Sequence, residues 1–426
     1  MKPTKKNTIQ SLLFEPRLSD TLYPKHELCV LSKLLPWEYL ENEFHGLFTE
    51  KSGAPAKPTR LVVGILMLQH MYGLSDDRVV QGWRENPYWQ YFCGCDHLQW
   101  DYPIHPSSLS RWRFRLGEDG MKKILTVTVQ TAVRSGAVKA SSLKNAIVDT
   151  TVMPKNVAYP TDSKLYYRGI CTLAKMSEDN GLKLRQTYRR IGKKAMVKSC
   201  RYAHARQLKR AKKERNRLKT YLGRMFRDVK RQTENTSLWD TFEPILEVIE
   251  HLLKQEKHSK QKVYSIHEPC TECIAKGKVH KKYEFGCKVS LVITHKEGLA
   301  IGAEAFHGNP YDGHTLQKTL ETAESITGNK IKKAFVDKGY KGHGVEGKRV
   351  YMTGQKKGIT NWIRKQIKRR QAIEPHIGHM KNEGKLGRNY LKGKLGDKLN
   401  ALLCGIGHNL RLLIRWIWKT ADPQPC

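Results

Sequence analysis

A single aspartate inside an apolar run sets the strongest constraint on how this chain folds. The stretch NAIVDTTVM, residues 145–153, has the length and β-branched content of a buried strand, yet it carries Asp149 in its middle. Taken alone, such an acid is more often a strand-end residue satisfied by a turn. The strand pattern then disappears from about residue 160 to 262 and resumes at VYSIHEP and YEFGCKVSLVITHKEGLAIGAEAFHG. A chain of this pattern is expected to form an α/β fold whose sheet is interrupted, after its first strand, by an insertion with its own architecture.

The resumed pattern predicts a hairpin of Tyr283–Thr294 and Leu299–Phe306 turning at HKEG. A helix over Asp312–Ile326, capped by Asp312 or Thr315, follows. Next, KIKKAFVDKGYKG reads as a short strand ending in a second aspartate, Asp337. The stretch IKRRQAIEPHIGHMKNEGK, residues 367–385, then sets Glu374 among bases. On an ideal helix Arg370 lies about 40° from Glu374 and Lys381 about 20° from it, so one face would carry an acid between two cations. Pro375 cannot donate to Gln371, which predicts a kink or a fresh helix start at Glu374. An amphipathic helix over Asp397–Lys419, with Leu399, Leu402, Leu403, Ile406, Leu410, Leu413 and Ile417 inward, closes the chain.

Charge narrows the partner. The 77 Lys and Arg against 40 Asp and Glu give a formal net charge of +37, which calls for a polyanion, nucleic acid first. A 39% hydrophobic content with nine Trp excludes a disordered basic tail. No run of 18 apolar residues and no signal-peptide pattern exist, so a cytoplasmic, nucleoid-associated protein with no membrane partner is expected. Ten cysteines without framework spacing read as reduced thiols. Cys93 and Cys95 lack a second pair, and His267, Cys270, Cys273 and His280 fit no strong zinc spacing.

Much of the charge sits in the insertion, residues 161–262. Between Arg189 and Arg231 there are eighteen Lys or Arg against Glu214 and Asp228. Leu208, Ala211, Leu218, Leu222, Met225 and Val229 predict a long helix with a narrow seam, broken at Arg215. With a second helix over Asp240–Lys254 it would make an antiparallel basic arm lying on phosphates. Residues 1–54 read as a leader with one or two short helices, and residues 55–135 as an all-α DNA-binding domain. Its first helix would place Leu61, Ile65, Leu66, Leu68 and Met71 on one face, and its third, capped by Ser107 or Ser108, would present Arg111, Arg113 and Arg115 to a duplex. A plain helical bundle with surface arginines is the alternative.

Asp149, Asp337 and Glu374 are three oxygen ligands able to converge. Such a cluster is tolerated chiefly around a divalent cation such as Mg²⁺, and two ions can clamp a phosphodiester displacement. The order DTT at 149–151, FVDKGYKG at 335–342 and R370-x3-E374-x6-K381 resembles the DDE transposases of bacterial insertion sequences, in the group with a Y-x2-R-x3-E-x6-K signature. KGKVHKKYEFGCKVSLV, GNPYDGHTL, LGDKLNALLCGIGHNLRLLIRWI and PTRLVVGILMLQHMYGLSDDRVV extend the likeness across most of residues 55–418. The signature tyrosine falls on Ile367, a departure from the pattern.

The resemblance implies an RNase H-like catalytic core, residues 140–160 and 263–418, holding two Mg²⁺, for which Mn²⁺ can substitute. Asp149 would bridge both ions, with Asp337 and Glu374 holding one each. Arg370 and Lys381, with the nearby Lys385, would contact DNA. The implied chemistry is nicking of element ends to free 3′-OH groups and their joining to target DNA, by at least a homodimer on double-stranded DNA. A non-catalytic DNA-binding protein, such as a decayed copy or a repressor of the ends, is the competing reading, and a basic RNA-binding factor a third.

Overall fold

The computed structural model describes residues 15–47, 56–256, 258–275, 282–356 and 358–421. In chain order the helices are α1 (Leu18–Thr21), α2 (Glu27–Leu34), α3 (Trp37–Phe44), α4 (Thr59–Met71), α5 (Asp76–Glu85), α6 (Pro87–Phe92), α7 (Pro106–Arg134), α8 (Asp162–Asp179), α9 (Arg189–His204), α10 (Leu208–Thr233), α11 (Trp239–Lys254), α12 (Asp312–Thr327), α13 (Asn361–Arg369), α14 (Ile373–Glu383) and α15 (Gly393–Ala421). The strands are β1 (Asn145–Pro154), β2 (Glu272–Ala275), β3 (Tyr283–Thr294), β4 (Ala300–Phe306), β5 (Lys333–Val336) and β6 (Arg349–Met352). Two compact units result, one of residues 1–153 with 288–426, the other of residues 154–287.

The first unit is mixed α/β, with a mostly helical N-terminal region. Its sheet runs β4-β3-β1-β5-β6, with β4 antiparallel to β3 and β5 parallel to both β1 and β6. Ala146, Ile147 and Val148 of β1 are all buried, as expected for a central strand covered on both faces. Helix α15 buries Leu399, Leu402, Leu403, Ile406, Leu410, Leu413 and Ile417, and it packs on α4, α7 and β4. Asn409 fixes that contact, because its side chain bonds both Ala300 N–H and C=O at 2.8 Å and donates to Thr128 Oγ1 at 3.0 Å.

These contacts place the helices expected in a separate N-terminal domain beside the sheet. Helices α4 and α7 supply the surface against which the closing helix buries, so they belong to the unit that holds the sheet. Helix α4 is correspondingly buried at every residue except Arg60, where one buried face was expected. The expected leader contains three helices, α1 to α3. Helix α7 begins at Pro106 under a His105 cap that accepts from Ser107 N–H, and it kinks at Gly117, where φ is +62°.

The second unit is four helices rather than a two-helix arm. Leu165, Tyr166, Ile170 and Leu173 of α8 and Ala195 of α9 form one core with Leu218, Leu222, Met225 and Val229 of α10 and Phe242, Leu246, Ile249 and Leu252 of α11. Helix α10 runs unbroken through Arg215, and Leu208, expected in the seam, is 69% exposed at its first position. The narrow seam was incomplete because α8 and α9 complete the core. Strand β2 pairs antiparallel with Tyr283–Gly286. Among the described residues no helix is long and apolar enough to cross a membrane.

Candidate active site

The parallel register of β1 and β5 brings two acids together. Asn145 lies opposite Lys333, Ala146 opposite Ala334 and Ile147 opposite Phe335, and two further steps set Asp149 beside Asp337. Asp337 leaves the strand and caps the turn Lys338–Tyr340, its Oδ1 accepting from Gly339 N–H at 2.8 Å. Burial pushes the Asp149 carboxyl up to about 6; the Arg370 guanidinium pulls against this, and the Asp337 charge adds to it.

Glu374 arrives on a helix restarted for it. Helix α13 ends at Arg369, a 3₁₀ turn spans Arg370–Ala372, and α14 starts at Ile373. This is the fresh start that Pro375 predicted, and it leaves the proline in a first turn, where its missing N–H costs nothing. Ile367 and Ile373 dock this segment by packing with Ile147, Ile293, Phe335 and Tyr351. Arg369 adds hydrogen bonds to the carbonyls of His295 at 3.0 Å and Lys296 at 2.7 Å. Ile367 therefore fills a core site, and no hydroxyl stands there.

Arg370 joins the two strands' chemistry to the helix. Its side chain is buried, with Nη1 3.3 Å from Asp149 Oδ2 and Nη2 3.8 Å from Glu374 Oε1. Glu374 itself is exposed. Among the described residues no three His, Cys, Asp or Glu side chains converge on one point as a ready metal cage. The Asp149 and Asp337 pair nevertheless has the hard oxygen donors that a divalent ion such as Mg²⁺ takes, and Glu374 stands one guanidinium away.

The other candidates divide. Arg111 and Arg115 are exposed on one face of α7, with Phe114 between them. Arg113 is not part of that face. It is 2% exposed, bonds Asp76 through both guanidinium nitrogens at 2.9 and 2.6 Å, and donates to Gln69 Oε1 at 2.6 Å. Two residues are 200° apart on a helix, so Arg113 had to point away from its two neighbours. Lys385 is half-buried, and its ammonium donates to the Leu74 carbonyl. Lys381 lies in the last turn of α14, half-buried. His376 packs on His408 and the Gly298 backbone, and His379 bonds Glu383 at 2.8 Å. Of the zinc candidates, His280 lies outside the described residues, and no cluster forms among the rest. Cys93 is a buried thiol, pushed up by burial.

Sequence reasoning missed the partners around the acids. Lys288 Nζ donates to Asp312 Oδ1 at 2.9 Å, and Thr150 Oγ1 donates to the same oxygen at 3.0 Å. Asp312 had read as a helix cap, and nothing local ties it to residues so far away in sequence. A strand lysine beside an otherwise apolar face was the available signal.

Two family models and one relative match this chain. Residues 16–115 match a family described as Transposase domain (DUF772), and residues 252–410 match the Transposase DDE domain. The chain is similar to "Uncharacterized protein ORF8 in nfe locus" of Rhizobium meliloti, 41% identical over 207 residues that make up 100% of that protein and 49% of this chain. No solved structure matches.

Proposed function

We propose that this chain, which belongs to the insertion-sequence transposases with a DDE domain, nicks the ends of its element to free 3′-OH groups and joins them to target DNA by metal-dependent phosphoryl transfer. The observation that carries the reading is the Asp149 and Asp337 pair on adjacent parallel strands, with Arg370 linking Asp149 to Glu374. The strand order β4-β3-β1-β5-β6 supports an RNase H-like core, and the unit of residues 154–287, entered straight after β1, supports a helical insertion into it.

Asp149, Asp337 and Glu374 are the residues that would hold two Mg²⁺, or Mn²⁺ in their place. Such ions supply charge stabilisation for an in-line displacement at phosphorus and activation of its oxygen nucleophile. In the first reaction water's oxygen bonds the scissile phosphorus, losing its protons to solvent, and the 3′ oxygen leaves with one proton. In the second that 3′ oxygen bonds a target phosphorus and expels a target 3′ oxygen.

Arg370, held at the acids, and Lys381 are assigned to phosphates of the element end. Arg111 and Arg115 of α7 and the exposed bases of α9 and α10, such as Lys194, Lys198, Arg201, Lys213 and Arg217, would track the duplex backbone. Two ends joined in one event require at least a dimer on DNA. The test is to titrate MgCl₂ or MnCl₂ into purified protein with linear DNA from the flanks of this gene. Metal-dependent cuts ending in 3′-OH are expected. Retention of the DNA without any cut would favour the non-catalytic reading.

A further inference from the structure

A fourth carboxylate lies against the pair at the strand ends. Asp312, the first residue of α12, has its Oδ1 taken by Lys288 Nζ at 2.9 Å and by Thr150 Oγ1 at 3.0 Å, and Thr150 is the residue directly after Asp149. A Cβ placed on Gly339 would lie 3.0 Å from Asp337 Oδ1 and 3.5 Å from Asp312 Oδ2, so both carboxylates look onto that glycine. Lys288 also donates to the Pro310 carbonyl at 2.6 Å, which ties its ammonium to the segment leading into α12.

A buried tyrosine lies beside the same acids. Tyr340 is 0% exposed, and its hydroxyl meets the Ser290 hydroxyl of β3. That phenol feels the charges of Asp149, Asp312 and Asp337 together, which with its burial keep it protonated.

We propose that Asp312 is a positioning residue for the active site: through Thr150 on one side and the Gly339 turn on the other, it sets the spacing of Asp149 and Asp337 for a divalent cation, with Lys288 as its counter-charge. The inference rests on the reading of Asp149 and Asp337 as cation-holding acids. Asp312 on this account touches neither DNA nor the reacting phosphate. Its effect is on the concentration of cation at which the site fills, as groups behind metal ligands typically alter affinity by about tenfold or more.

The experiment follows thermal stabilisation of the full chain by MnCl₂, without DNA, for the wild type and for Asp312→Asn, Lys288→Met, Asp149→Asn and Asp337→Asn. Asp312→Asn keeps an acceptor for Thr150 and α12 its helix start, so it should fold. The concentration of Mn²⁺ for half-maximal stabilisation should rise about tenfold in Asp312→Asn and in Lys288→Met. Loss of the stabilisation is expected in Asp149→Asn and Asp337→Asn. An unchanged Mn²⁺ dependence in Asp312→Asn, with Asp149→Asn and Asp337→Asn abolished, overturns the role of Asp312 alone. An unchanged dependence in all four variants overturns the cation-holding reading beneath it. If Asp312→Asn melts well below the wild type without Mn²⁺, Asp312→Glu serves as the second variant, and wild-type Mn²⁺ dependence in it together with normal cleavage would reduce Asp312 to an ordinary helix-start ion pair.

Discussion

Arg113→Ala separates a structural arginine from the exposed Arg111 and Arg115, which we propose meet DNA. The wild-type guanidinium is 2% exposed and holds α7 to Asp76 of α5 and Gln69 of α4. Burial pushes the Asp76 carboxyl up, but the hydrogen bonds and charge of Arg113 outweigh it and hold Asp76 below the usual range. Truncation leaves that carboxylate and the Gln69 amide oxygen without their partner, with Lys385 the remaining cation beside Asp76. Breaking a buried pair from one side costs about 3–5 kcal/mol, so this unit should melt about 10 °C lower. Arg113→Met combined with Asp76→Leu should recover much of the loss, because two apolar groups leave no charge stranded. The paired change Arg111→Ala with Arg115→Ala should leave melting unaltered and lower the slope of log affinity against log salt by about 1.8. Differential scanning fluorimetry and salt-titrated DNA binding read both quantities. An Arg113→Ala protein that melts like the wild type but binds DNA as weakly as the Arg111 and Arg115 variant would refute the assignment.

Other expectations follow from single features. His70 and His408 are both held neutral by burial, each lowered to about 3. Unfolded histidines protonate near 6.5, so stability falls as pH drops from there towards 3, by about 1.4 kcal/mol per histidine at pH 5.5; chemical denaturation across pH 5–8 checks this, and His408→Asn should flatten the slope. Ile367→Tyr should destabilise the unit by about 1–3 kcal/mol through overpacking against Ile147 and Phe335, without raising cleavage. Asn409→Leu leaves the Ala300 N–H and C=O unpaired and should cost about 2–4 kcal/mol in urea unfolding. Neutralising Lys194, Lys198, Arg201 and Arg217 together should reduce the salt slope of DNA binding by as much as about 3.6, while an unaltered slope would assign that face to protein contacts.

The sheet was legible because its strands announce themselves locally. NAIVDTTVM, the hairpin through HKEG and FVDKG each carry a strand pattern, the first and last with their acid, and the structure places strands at all three. The restart of α14 was legible for a comparable reason, since Pro375 acts on its own first turn. What was not legible depends on partners distant in the chain. Helix α4 looked one-sided because nothing in its own sequence says that α15 covers the other faces. The two helices read from the insertion lacked α8 and α9, whose apolar positions are interleaved with polar ones and complete the core only once all four helices meet. Arg113 is a different kind of miss, because the 200° offset from Arg111 and Arg115 was already in the spacing. Asp312 and Lys288 are joined only by the fold.

The most direct test of the central claim is strand cleavage at a labelled element end, measured with and without MgCl₂ for the wild type and for Asp149→Asn, Asp337→Asn and Glu374→Gln. The wild type should release a 3′-OH strand only with the metal, and each variant should bind the end yet cut it at less than about a thousandth of the wild-type rate, a loss of about 4 kcal/mol in barrier stabilisation. Cleavage that persists in EDTA, or that survives in all three variants, would contradict the account.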